Sequence, residues 1–145
     1  MGTKDILLKI TGNQFSGKDE DRIEFMTAGT LETKGNTTCI SYDETAISGM
    51  DGYKTNLTIE PGKVTMSRTG AEMQETVMEF VKGRHYHGLY STPYGNISME
   101  LLTNDVSGIA ADGKIEKLSI DYDLSLKGIS ESRNTIDIEI IGEKQ

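Results

Sequence analysis

The sequence has no tryptophan, two prolines and a single cysteine in 145 residues. One thiol cannot form an internal disulfide, and no CxxC pair or Cys/His cluster prepares a structural zinc site. A disulfide-free chain of this size is expected in the reducing cytoplasm. No apolar run approaches the ~20 residues that a membrane helix needs. The opening Met1-Gly2-Thr3-Lys4-Asp5 has no basic n-region and no long apolar core behind it, so a signal peptide is not expected. Positive charge is also scarce: 15 Lys and Arg stand against 23 Asp and Glu, a formal net charge of −8. Such a surface repels phosphate backbones and anionic lipid, so neither nucleic acid nor membrane is an expected partner.

Motifs are missing too. There is no GxSxG elbow, no glycine-rich phosphate loop before a helix, no HExxH and no EF-hand loop. Asp19-Glu20-Asp21 lacks the alternating ligands and the glycine of a calcium loop. No cofactor is expected, and an enzymatic reading has the weakest footing.

What the sequence does contain is strand periodicity. Apolar residues recur at every second position, and turn residues interrupt them at short intervals. Lys4 to Thr11 places Ile6, Leu8 and Ile10 on one face. Gly12-Asn13 reads as the start of a loop that carries the acidic cluster. Arg22 to Lys34 reads as one long strand, with Gly29 as a mid-strand bulge or bend. Gly35-Asn36 predicts a hairpin turn into Thr37–Glu44. Residues 45–50 match no element clearly. Asp51-Gly52, Pro61-Gly62, Thr69-Gly70 and Lys82-Gly83 then bound strands at Tyr53–Glu60, Lys63–Arg68 and Met73–Val81, the last with a short helix as its lesser reading. Arg84–Thr92, the turn Pro93-Tyr94-Gly95, Asn96–Asn104, a weak run Val106–Ala111, the turn Asp112-Gly113, Lys114–Lys127 and Arg133–Ile141 complete the chain.

These elements predict an all-β fold in a single domain, 1–145. The expected architecture is one antiparallel, mostly up-and-down β-barrel of eight to ten strands, since closure removes aggregation-prone edges. A two-sheet β-sandwich is the alternative. Cys39 falls inside an alternating run and reads as a buried or half-buried strand residue.

Parity singles out polar residues that share the phase of an apolar face. Glu44 follows Thr38, Ile40 and Tyr42. Arg68 follows Val64 and Met66. Tyr122 lies between Ile120 and Leu124. An inward arginine must be paired, and Glu44 is its expected partner. Arg68 therefore has two readings: half of a structural ion pair near a strand end, or a clamp for a ligand carboxylate or phosphate. Tyr86, Tyr90, Thr92 and, past the turn, Tyr94 form a second group, suited either to a cavity rim or to half-buried strand positions. His85 and His87 share the opposite face and read as a solvent-facing pair, because two histidines alone do not make a lasting metal site.

The landmarks Tyr42-Asp43-Glu44, Thr55, Arg68-Thr69-Gly70, Met78-Glu79-Phe80, Tyr90-Ser91-Thr92-Pro93-Tyr94-Gly95 and Tyr122, in that order and spacing, resemble the YwiB-like family of uncharacterised bacterial proteins. The resemblance runs from about Ile6 to Ile141. It implies a lipocalin-like, calycin-type barrel in a bacterial cytoplasm, and it brings no catalytic residues. The combined expectation is a protein that binds a small, partly apolar or anionic ligand inside the barrel through Arg68, Glu44, Tyr42, Thr55, Tyr90, Thr92, Tyr94 and Tyr122. The rival expectation is a filled core, with function on the acidic surface or in a homodimer interface.

Overall fold

In a computed structural model, residues 3–44, 52–70, 73–92, 95–109 and 115–144 are described, the side chains of 73, 74, 91, 92 and 144 excepted. They form ten strands: β1 (Thr3–Ser16), β2 (Asp19–Lys34), β3 (Thr37–Asp43), β4 (Lys54–Glu60), β5 (Lys63–Gly70), β6 (Met73–Phe80), β7 (His85–Thr92), β8 (Gly95–Ile109), β9 (Ile115–Leu126) and β10 (Ser130–Lys144). All belong to one antiparallel sheet in the order β6-β5-β4-β3-β2-β1-β10-β9-β8-β7. Consecutive strands neighbour one another, and β10 returns to pair with β1. The sheet curls until its two ends, β6 and β7, lie side by side. This is the up-and-down barrel, nearly closed, and it excludes the sandwich. Met73–Phe80 is a strand, not a helix.

The period-2 pattern is what fills the interior. Ile6, Leu8 and Ile10 from β1 meet Ile40 and Tyr42 from β3, Leu57 and Ile59 from β4, and Val64 and Met66 from β5, all at most 3% exposed. Met78 and Phe80, Met99 and Leu101, Leu118 and Ile120, and Ile138 complete the ring. The intervening residues face outward, Cys39 among them, half-buried on β3.

Four local expectations are corrected. Gly12-Asn13 does not open a loop: both residues stay in β1, opposite Ile23 and Arg22. The strand runs on to Ser16, and the acidic cluster Asp19-Glu20-Asp21 begins β2, pairing with Ser16, Phe15 and Gln14. The turn sits instead at residues 17–18, where Gly17 adopts the left-handed φ of 60° that a tight hairpin needs. Thr69-Gly70 likewise remains in β5, with a shift of register between Arg68 and Gly70. The ring of Tyr53 lies over Gly70, 3.0 Å from where a Cβ would stand, so this glycine makes room for an aromatic rather than a turn. Asn96–Asn104 and the described part of the weak run, Val106 to Ile109, are one strand, β8, whose two irregularities near Asn104 and Gly108 disturb the alternation.

Gly29 is the fourth. The pairing of β2 with β1 runs through it without a shift, and the pairing with β3 ends at it opposite Tyr42, so it is no bulge. A Cβ there would stand 2.6 Å from the carbonyl oxygen of Ser41 and 3.1 Å from Leu8 Cδ1. The residue is glycine because neighbouring backbone and core come too close for anything else. Residues 45–50 and the turn Asp112-Gly113 lie outside the described residues.

On the outer face, Arg133 of β10 grips Asp121 of β9 with two bonds, Nε to Oδ1 at 3.1 Å and Nη2 to Oδ2 at 2.7 Å. These bonds hold the Asp121 carboxyl below its usual range, against a smaller opposing effect of burial.

Two tests follow from the packing. Gly29→Ala should cost about 1–3 kcal/mol in urea unfolding, because the Ser41 carbonyl must move to admit the methyl group. A depressed carboxyl pKa stabilises the fold above its unfolded value and loses that effect as pH falls through the folded value. The stability gap between the wild type and Asp121→Asn should therefore be largest near neutrality and shrink below pH ~4, measured by thermal unfolding across pH.

Candidate functional site

Strand directions sort the barrel into two ends. Turns 35–36 and 61–62 and the β6–β7 connection mark the lower end. The β3–β4, β5–β6 and β7–β8 connections mark the upper end. The register then aligns one row across the upper half: Gly29 opposite Tyr42, Tyr42 opposite Thr55, Thr55 opposite Arg68, and Arg68 opposite Thr76. Parity turns the side chains of Tyr42, Thr55 and Thr76 inward, at 2%, 0% and 8% exposure. Glu44 stands two residues beyond Tyr42, fixed by its backbone N–H to the Tyr53 carbonyl at 2.9 Å.

The Glu44 side chain is 2% exposed, and that of Arg68 is 18%. The Thr55 hydroxyl donates a hydrogen bond to Glu44 Oε2. Arg68 Nε lies 3.7 Å from the same oxygen. That is an ion pair by charge, but it is too long to be a hydrogen bond. Arg68 Nε is buried and has no hydrogen-bond partner among the described residues; Tyr42 Oη, buried beside Thr55 and Glu44, closes no hydrogen bond of ordinary geometry with a described residue. Burial, followed by the negative charge of Glu44, raises the Tyr42 phenol well above its ordinary pKa, with Arg68 opposing. The hydroxyl of Tyr42 is therefore neutral, with Thr55 and Glu44 as its polar neighbours.

Tyr122 joins the cluster from the far wall. Its pKa is raised by burial, lowered by the charge of Arg68 and raised by Tyr90, which places all three within electrostatic reach. Its ring packs against Phe80 at 4.9 Å between centroids, tilted by 58°. The geometry thus gathers Tyr42, Glu44, Thr55, Arg68, Tyr90 and Tyr122 around one interior region. Thr92 is placed by its backbone at the same end, opposite Gly95. Tyr94 lies outside the described residues.

Two residues of this region were passed over in the sequence. Thr76 shares the row and the phase of Met78 and Phe80. Thr103 is fully buried opposite Tyr122, and its Oγ1 has no hydrogen-bond partner. Parity could have found both, but threonine is common in strands and its hydroxyl carries no distinguishing signal. His85 and His87 are exposed, and His85 Nδ1 lies 3.2 Å from Glu100 Oε1.

Surface clefts lie elsewhere. One of about 500 Å³ is lined by Phe15, His85, Glu100, Asp123 and Arg133. One of about 960 Å³ at the lower end is lined by Leu31, Thr38, Ile115 and Ile140. Neither includes a residue of the Glu44–Arg68 cluster. An open groove is the weaker indicator here, because a built site needs convergent, desolvated polar groups, and those are at the upper end.

Compared with known proteins, residues 8–138 match the family described as "Domain of unknown function (DUF1934)". The chain belongs to this family. It is also similar to the crystal structure of the ywiB protein from Bacillus subtilis, with a TM-score of 0.69 and 23% identity over 95% of this chain and 92% of that one. At that identity the likeness is one of fold, and it agrees with the resemblance read from the landmark residues. No curated protein matches the chain. No described helix is long and apolar enough to cross a membrane.

The ion pair makes an asymmetric prediction. Arg68→Met leaves a nearly buried carboxylate held by Thr55 alone and should cost about 2–3 kcal/mol. Glu44→Leu should cost less, because Arg68 already reaches solvent. The double variant should be more stable than the sum of the single losses implies. A urea double-mutant cycle measures all three.

Proposed function

We propose that the upper end of the barrel binds a small molecule, in the lipocalin-like manner of a ligand held inside a β-barrel. The observation that carries this is a pair of buried polar atoms in one cluster, Arg68 Nε and Tyr42 Oη, that close no hydrogen bond with a described residue. Folded proteins rarely leave such atoms unsatisfied, and a bound water, ion or small molecule is one way to satisfy them. The strand order supports the same end. No ladder joins β6 to β7. Thr76 on β6 and Tyr90 on β7 stand on the two strands at this break, with Arg68 on β5 next to Thr76.

The lower half of the barrel is packed with side chains such as Ile40, Ile59, Val64 and Phe80, each fully buried. The ligand volume is therefore small and confined to the polar end. The same packing favours the rival reading, in which the barrel is a filled support and function lies on the acidic surface or in a homodimer. Binding is the stronger reading, because a purely structural core gains nothing from unpaired polar groups. A cytoplasmic address fits the lone thiol of Cys39.

Native mass spectrometry of protein purified from its own cells tests this directly. The expected result is an added mass that disappears on denaturation and is missing from Arg68→Ala. A bare chain mass in wild type and variant alike, with no thermal stabilisation by a small-molecule extract of the same cells, overturns it.

A further inference from the structure

Alternation puts apolar side chains inside this barrel and polar ones outside, so a large apolar residue in outward phase is out of character. Three such residues converge on one spot of the outer face, from three neighbouring strands. They are Leu7 on β1, Met26 on β2 and Ile141 on β10, exposed by 42%, 63% and 41%. The register brings them together. Leu7 stands opposite Ala28 of β2 and Gly142 of β10, and Lys9 stands opposite Met26 and Glu139. A register shift beside Leu7 leaves Ile141 with no opposite residue on β1. A lone exposed apolar residue needs no explanation, but a contiguous group on the bare outside of a sheet marks a contact face. Residues 5–9, 24–28 and 139–142, which make up this face, are all described.

Gly142 is an independent sign. Among the described glycines it alone has neither a left-handed φ nor a crowded Cβ position. A Cβ there would meet only Leu7 Cβ, at an ordinary contact distance of 3.8 Å. Nothing described within the chain requires glycine at this point. Its missing side chain leaves a notch between Leu7 and Ile141 on the outer surface, which suits a close approach from outside.

The charges identify what approaches. On β1, Asp5 and Lys9 flank Leu7 at equal spacing, one of each sign, both in outward phase. Lys9 Nζ lies 3.5 Å from Glu24 Oε1, and Asp5 is in no ion pair among the described residues. Consider a two-fold axis that lies across the strands at Leu7. It stacks β1 on the β1 of a second copy, running the opposite way. Lys9 of each copy then stands over Asp5 of the other, and Ile141 of each lies by the notch at Gly142 of the other. Packed sheets stay within about 30° of alignment, so the correspondence holds close to the axis. Contact between identical faces must be self-complementary in this sense. A net charge of −8 opposes self-association in general, so matched signs at the contact carry weight.

We infer that the outer face of β10-β1-β2, centred on Leu7, is a two-fold interface between copies of this chain. It lies on other strands than Arg68 and Glu44 and does not depend on the ligand reading.

Sedimentation velocity of the full chain, from about 1 μM to about 1 mM, tests it. The wild type should pass from monomer to dimer within this range. Lys9→Glu and Asp5→Lys each set like charges over one another and should raise the dissociation constant about tenfold or more. The double variant exchanges the two signs, restores the match and should regain most of the affinity. Gly142→Ala has room in the single chain, so it should weaken the dimer severalfold while the chain stays folded by circular dichroism. A monomer at every concentration overturns the inference. So does a dimer that the single charge variants and Gly142→Ala leave unchanged, or a double variant no tighter than the single ones.

Discussion

Curling one antiparallel sheet until its end strands meet gives this chain a single interior, and every side chain of inward phase must be accommodated there. Apolar residues meet that constraint by packing. Polar ones meet it only by finding partners, since burying an unpaired charge costs far more than a surface ion pair returns. The barrel's lower half follows the first route, with Ile40, Ile59, Val64 and Phe80 buried in one apolar cluster. Its upper half follows the second, with Glu44 held by Thr55 and faced by Arg68. The two solutions share the same strands. That is why the chain passes from core to polar cluster within a few residues, from Ile40 to Tyr42 on β3 and on to Glu44 just past its end.

The sheet also explains why the cluster is incompletely satisfied. In a strand the side chain's direction is set by parity, and its height by register. Tyr42, Thr55 and Arg68 stand in one row and cannot slide along their strands to improve their contacts. Arg68 therefore faces Glu44 at 3.7 Å without closing a hydrogen bond, and Tyr42 Oη closes none of ordinary geometry with a described residue. A core selected for stability alone would gain from leucine or methionine at these positions. Rigid placement with unfilled bonding capacity is instead the arrangement that binding requires, because a preorganised site loses little on closing around a ligand.

Much of this was legible in the sequence, and the rest was hidden for identifiable reasons. Alternation in β3 to β6 located the strands, and the out-of-character residues Glu44 and Arg68 located the polar end. Those strands are short and bounded by strong turn pairs such as Pro61-Gly62, so parity did not drift. The long strands were harder. Gly12-Asn13 looks like a turn, but the residues that decide the matter are its partners Ile23, Arg22, Ile136 and Thr135, which are distant in sequence. Gly29 and Gly70 gave the right signal for the wrong reason: each is small because something presses on it, Ser41 in one case and Tyr53 in the other. Thr103 and Thr76 were in plain phase, but threonine suits any strand. The register shifts in β8 broke the alternation that would have joined its two halves.

The central claim is that the Glu44–Arg68 end of the barrel is kept open to a ligand and is not merely the place where the core ends. A high-resolution crystal structure of the protein as isolated from its own cells measures this most directly. The account predicts ordered density for a small molecule within hydrogen-bonding distance of both Arg68 Nε and Tyr42 Oη. It would be contradicted by a direct, hydrogen-bonded Arg68–Glu44 pair with Tyr42 Oη turned onto a protein acceptor and side chains filling the space between them.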